Sequence, residues 1–142
     1  MHVHPTRDLL LAVTRANHEL FMVTNERVEA VLARLRLTSQ TAQTLWAIDP
    51  DGTPQSMSSI AASLRCNASN LTFIAKQLEA RGYVIREQDV TDRRLHVLVL
   101  TSEGRRVREA VVAATLSVTP FAGCSEADLR ELLRLLSRIQ VD

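Results

Sequence analysis

Residues 92–104 read DRRLHVLVLTSEG, a turn carrying two arginines, then an apolar strand, then the capped start of a helix. Just upstream, Gly82 is placed to end a helix, since glycine tolerates the left-handed conformation that closes many helices. From there residues 83–86 read as a first strand, 87–94 as a polar loop and 95–100 as the returning strand. Further back, residues 58–64 and 69–81 read as two short helices joined by a tight turn. Helix, turn, helix and hairpin in that order predict a winged helix-turn-helix, and an arginine loop on a hairpin is suited to gripping nucleic acid.

Leu71, Ile74, Ala75 and Leu78 recur at i, i+3, i+4 and i+7, so they predict the buried stripe of the second of these helices. Ser69, Asn70, Thr72, Phe73, Lys76 and Gln77 are thereby turned outward. Asparagine can pair with adenine, and serine or threonine with several base edges. Short polar residues are ordinary on any helix surface; it is the hairpin that follows which tips the reading towards base recognition. A phenyl ring on a polar face forgoes burial. Phe73 therefore has two readings, contact with a thymine methyl or packing beneath the wing. Arg65 stands in the turn between the helices, where a positive φ would cost arginine strain that glycine avoids. If the turn has another shape, Arg65 is left for phosphate or solvent.

Outward from this core, residues 7–36 contain neither Gly nor Pro and carry apolar residues on more than one face, predicting a long first helix. Thr38 can cap a second helix through Ile48, followed by the turn Asp49-Pro50-Asp51-Gly52, and Ser58 can cap the third. Thr101 or Ser102 can cap a fifth helix to about Val118, ended by Pro120 and Gly123. Ser125 opens a last helix in which Leu129, Leu132, Leu133, Leu136 and Ile139 form an apolar seam. A monomer would leave these terminal seams wet, so they predict a partner copy.

A chain of 142 residues with 46% hydrophobic and 4% aromatic content fits one mainly helical domain. No stretch approaches the roughly 18 apolar residues of a membrane span, and the N-terminus lacks signal-peptide order, so a soluble cytoplasmic protein is expected. Net charge is only +1. Residues 55–104 hold six basic against five acidic side chains, so any DNA footprint must come from geometry and from two subunits acting together. Every basic residue except Lys76 is arginine, the better fit to bidentate contacts and to a narrow minor groove.

The segment from Ser56 to Gly104 resembles the MarR (multiple-antibiotic-resistance regulator) family. The resemblance rests on the Asp-x-Arg wing of Asp92 and Arg94 and the Leu-Thr-x-x-Gly junction of Leu100, Thr101 and Gly104. The helix ending of Leu78, Glu79 and Gly82 adds to it, as does the stretch 37–40 with a long helix on each side. It implies one MarR-type domain over residues 1–142, mainly α with a small β-hairpin wing. Dimerisation helices would span about 7–36 and 102–141, and the winged helix-turn-helix about 38–101. It further implies a homodimeric repressor of a pseudo-palindromic double-stranded DNA operator, with recognition helices in major grooves and wings in minor grooves. Arg94 would enter the minor groove, Asp92 would hold its guanidinium and Arg93 would touch phosphate. Relatives often carry arginine or another polar residue where Phe73 stands, and many have glycine at Arg65.

Arg15 and His18, near Asn17, Phe21 and Met22, could line a pocket for a small aromatic or phenolic acid of the kind that MarR relatives carry, with Trp46 as a wall; a satisfied interface cluster is at least an equal reading. His96, within a strand, is expected to be packed. His2 and His4 have metal-like spacing on a terminus expected to fray, so no metal site or cofactor is assigned. Cys124 precedes a helix cap, which favours a thiolate, but peroxide-sensing relatives place their cysteine near the start of the first helix, where this chain has none. Cys66 is expected to be a small apolar filler. No catalytic constellation is visible, so the competing reading is a winged-helix protein-interaction module without DNA binding.

Overall fold

Caps and turns, more than propensity, set the element boundaries of this chain. The structure, a computed structural model, describes residues 5–141, so His2 and His4 lie outside it. Its elements are α1 (Pro5–Arg34), α2 (Ser39–Ala47), α3 (Met57–Ser63), α4 (Ala68–Ala80), β1 (Val84–Gln88), β2 (His96–Leu100), α5 (Ser102–Val118) and α6 (Glu126–Leu136). The chain divides into two compact units, Val28–Thr115 and the remainder on either side of it.

In the central unit Leu45, Ile60, Leu71, Leu78 and Leu98 are at most 1% exposed, drawing α2, α3, α4 and β2 onto one core. Leu32 of α1 and Val111 of α5 complete it. β1 and β2 pair antiparallel with Val84 opposite Leu100 and Gln88 opposite His96. Ser56 adds a single antiparallel bridge to Val97. That bridge corrects the expected start of α3. It holds Ser56 extended, the conformation an N-cap needs, and Ser56 Oγ accepts from Ser59 N at 3.1 Å, whereas Ser58 Oγ only meets Ser56 Oγ. α4 likewise starts one residue earlier than expected, because Asn67 Oδ1 accepts from Asn70 N at 2.7 Å. Thr38 caps α2 as expected, in a reciprocal box with Thr41. His96 is exposed, not packed, because the buried residues of β2 are Val97, Leu98 and Leu100.

Three helices end in the same way, with a left-handed residue whose N–H, and that of its successor, bond back into the last turn. At α4 this is Gly82, φ 76°, with Gly82 N bonded to Glu79 O and Tyr83 N to Leu78 O. At α3 it is Arg65, φ 51°, so the turn does demand the conformation that disfavours arginine. At α1 it is Arg36, φ 58°, which ends the helix two residues before the sequence suggests. The Arg36 carbonyl accepts from Arg81 Nη1 at 2.6 Å, a contact that any residue there would keep. Arg36→Gly is therefore expected to stabilise the protein by about 0.5–1 kcal/mol, relief of left-handed strain exceeding the extra unfolded-state entropy of glycine. Thermal unfolding should show Tm rising by ~2–4 °C; a fall would mean that the Arg36 side chain contributes more than its strain costs.

The other unit holds the first part of α1, the end of α5, a 3-10 turn at Pro120–Gly123, and α6 capped by Ser125 Oγ on Asp128 N at 3.1 Å. Arg27 Nη1 bonds to the Val118 carbonyl at 3.4 Å. None of its described residues is buried. Leu133, Leu136 and Ile139 are 57–67% exposed, and Ile139 lies beyond the end of α6, which stops at Leu136. Among the described residues no helix is long and apolar enough to cross a membrane.

Candidate nucleic-acid interface

The junction that the sequence writes as Leu-Thr-x-x-Gly fixes the wing to the central unit through four linked contacts. Thr101 N donates to the Tyr83 carbonyl at 3.1 Å, and Thr101 Oγ1 donates to the Gly82 carbonyl at 2.6 Å. The same oxygen accepts from Gly104 N at 3.0 Å and so caps α5, which settles the cap on Thr101 rather than Ser102. A Cβ on Gly104 would lie 1.8 Å from the Tyr83 carbonyl oxygen, so α5 can sit against the start of β1 only because residue 104 has no side chain. Arg105 adds a bond to the Pro50 carbonyl at 2.6 Å, joining α5 to the turn after α2.

Two carboxylates organise the wing loop. Asp89 Oδ1 accepts from Thr91 Oγ1 at 2.7 Å, Thr91 N at 2.8 Å and Asp92 N at 3.2 Å, and these bonds hold its carboxyl below the usual aspartate range. Asp92 then accepts from Arg94 in a fork, Nε on Oδ1 and Nη2 on Oδ2, both at 3.1 Å, with Arg94 N also on Oδ1 at 3.1 Å. The Arg94 guanidinium holds the Asp92 carboxyl low, and its own pKa is raised in return. The Arg94 side chain is nevertheless 90% exposed, so the clamp fixes its direction without covering it. An exposed pair of this kind adds little stability; its consequence is geometric. Arg93 is exposed beside it. Asp89 is the residue that sequence reasoning missed. Its signal was the Asp-x-Thr spacing, since an aspartate readily bonds the backbone two residues on.

On α4, Leu71, Ile74, Ala75 and Leu78 are buried as the stripe required, and Ser69, Asn70, Phe73, Lys76 and Gln77 are exposed. Thr72 departs from this set. It is half-buried, and its hydroxyl bonds to the Ala68 carbonyl at 2.9 Å. Thr72, Ala68 and Leu71 line one groove of about 240 Å³ with Ser58 of α3 and with Arg86, Arg94 and His96 of the hairpin. The start of α4 and the wing therefore border one groove. Of the residues assigned to a small-molecule pocket, Arg15 and His18 are exposed on α1, in one unit. Trp46 is 41% exposed on α2, in the other unit, and its carbonyl accepts from Arg108 Nη2 at 3.2 Å. Cys66 and Cys124 are free thiols, both half-buried. Among the described residues no group of three or more His, Cys, Asp or Glu could hold a metal ion.

A helix with an open polar face and a hairpin with a clamped, exposed arginine are the working parts of a winged helix-turn-helix. The sequence model of the MarR family matches residues 37–96, the α2-to-wing segment. The chain is 29% identical over 87 residues to the HTH-type transcriptional regulator YkoM of Bacillus subtilis (strain 168), a match spanning 60% of this chain and 56% of YkoM. The chain thus matches little more than half the length of that relative. Over its whole fold it resembles AbsC, a MarR family transcriptional regulator from Streptomyces coelicolor, with TM-score 0.76, 23% identity, and 96% and 93% of the two chains covered. It also resembles the transcriptional repressor CouR bound to a 23-mer DNA duplex, with TM-score 0.69, 25% identity, and 89% and 87% covered. CouR from Rhodococcus jostii RHA1 bound to p-coumaroyl-CoA is similar at TM-score 0.73 and 21% identity, covering 99% of this chain and all of CouR.

Proposed function

We propose that this chain is a cytoplasmic homodimeric repressor that binds a pseudo-palindromic operator, its two units working as one MarR-type domain. The observation that carries this reading is the groove that α4 shares with the hairpin, lined by Thr72 and Arg94 together, because a duplex reaching one would lie near the other. In this reading Ser69, Asn70, Thr72, Phe73, Lys76 and Gln77 face the major groove and Arg94, oriented by Asp92, enters the minor groove, with Arg93 on phosphate. The similarity to CouR on DNA supports it. Dimerisation is supported by the unit that includes α6, none of whose described residues is buried and which exposes Leu9, Leu10, Phe21, Leu133 and Leu136. A small aromatic or phenolic acid would release DNA only by preferring one spacing of the recognition helices. CouR, with its p-coumaroyl-CoA, lends that part support.

Sedimentation and duplex selection test this reading together. The protein should sediment as a dimer at micromolar concentration and enrich, from a random duplex library, sites with two half-sites one helical turn apart, ~34–36 Å. Affinity for the enriched duplex should fall linearly with salt on logarithmic axes. A well-folded monomer would overturn the dimer, and failure to enrich any duplex would leave the protein-interaction reading in its place.

A further inference from the structure

We propose that Phe73 is a specificity residue that reads the methyl group of a thymine in the major groove. The inference rests on the DNA-binding reading and goes further by assigning base chemistry to one side chain. Phe73 is 63% exposed and belongs to neither the core of the central unit nor the apolar residues packed against it. The buried stripe of α4 is complete without it. It is not among the α4 residues that line the groove beside the wing, which are Ala68, Leu71 and Thr72.

On a helix the neighbours of residue 73 are residues 69, 70, 76 and 77, three and four positions away. All four, Ser69, Asn70, Lys76 and Gln77, are exposed polar or charged residues, so the ring stands at the centre of the polar face. A phenyl ring neither donates nor accepts a conventional hydrogen bond, so it cannot read the nitrogen and oxygen edges available to its neighbours. The one apolar group that base pairs present in the major groove is the C5-methyl of thymine. Contact with that methyl removes apolar surface of both partners from water, which a ring held open on a polar face otherwise never gains. Asn70, one turn earlier, can accept and donate to adenine, so the pair favours A·T steps beneath the helix.

The test uses the duplex enriched by the full-length protein, with each thymine replaced in turn by deoxyuridine, which lacks only the methyl and pairs identically. Binding by the parent should weaken about fourfold when the thymine under Phe73 is replaced in one half-site, the effect of one buried methyl. Phe73→Ala should bind thymine and deoxyuridine duplexes equally, and Phe73→Leu should retain part of the discrimination. Because Phe73 is exposed, thermal unfolding of both variants should match the parent. Parental binding that ignores deoxyuridine at every position would overturn the proposal and leave the DNA-binding reading standing. So would a Phe73→Ala protein as methyl-sensitive as the parent. Failure of the parent to enrich any duplex would remove both.

Discussion

Gly104→Ala is expected to lower stability by at least ~3 kcal/mol, and Tm by about 10 °C or more. Its Cβ would sit 1.8 Å from the Tyr83 carbonyl oxygen and 2.8 Å from the carbonyl carbon, both backbone atoms that no rotamer change can move aside. Relief requires α5 to lift from the start of β1. That movement stretches the bond from Thr101 N to Tyr83 O and the cap from Thr101 Oγ1 to Gly104 N, so loss of a cap, worth ~1 kcal/mol, adds to the steric cost. Against a total stability of ~5–15 kcal/mol this is a large fraction. Gly123→Ala is the matched control, since a Cβ there meets nothing within 4 Å, and its Tm should stay near the parent's. Urea and thermal unfolding of the two variants decide the matter: a Gly104→Ala protein as stable as the control would mean that the helix and strand are less tightly apposed than 1.8 Å implies.

The helix order, the α4 stripe and the wing were legible because each is written in local periodicity or in residues whose conformational roles are narrow. Gly82 and Thr101 are of that kind. Boundaries depending on a distant partner were not legible. Ser56 caps α3 only because Val97, forty-one residues later, holds its backbone extended, and Ser58 looks equally good in sequence. A place within a strand predicts packing for His96, but β2 buries Val97, Leu98 and Leu100 and leaves His96 exposed. Arg36 gave no sign of closing α1, since arginine is a good helix former and the left-handed turn follows from tertiary packing around Leu32 and Leu37. At the candidate site the clamp of Asp92 on Arg94 followed from two residues of spacing. The outward set of α4 was legible except for Thr72, which is half-buried with its hydroxyl bonded to the Ala68 carbonyl.

Arg94→Ala is expected to weaken operator binding about tenfold per half-site, and so roughly a hundredfold in the dimer, through loss of a charge-assisted bond to DNA in each wing. The salt slope should shrink by about 0.9 for each phosphate that the variant leaves unneutralised. Asp92→Ala separates two accounts of the wing, because they give opposite signs. If the wing acts by net charge, removing a carboxylate near DNA tightens binding. If it acts by aim, Arg94 loses both forked bonds of its guanidinium and the bond from its backbone N–H to Asp92, regains rotamer freedom and binds more weakly. The fork in this structure favours the second, with a loss of several-fold for Asp92→Ala in the parent. In an Arg94→Ala background the same change should tighten binding slightly, since only the charge effect then remains. Depressed carboxyl pKa values at Asp89 and Asp92 also fix the pH response. The order they confer is complete above the unfolded aspartate value, ~4, and lost only as pH falls through the lower folded values, so this clamp should make no difference to binding between about pH 6 and 8. Titrations of the four proteins against one duplex at fixed salt complete the cycle, and tighter binding by Asp92→Ala in the parent would remove the orienting role from Asp92.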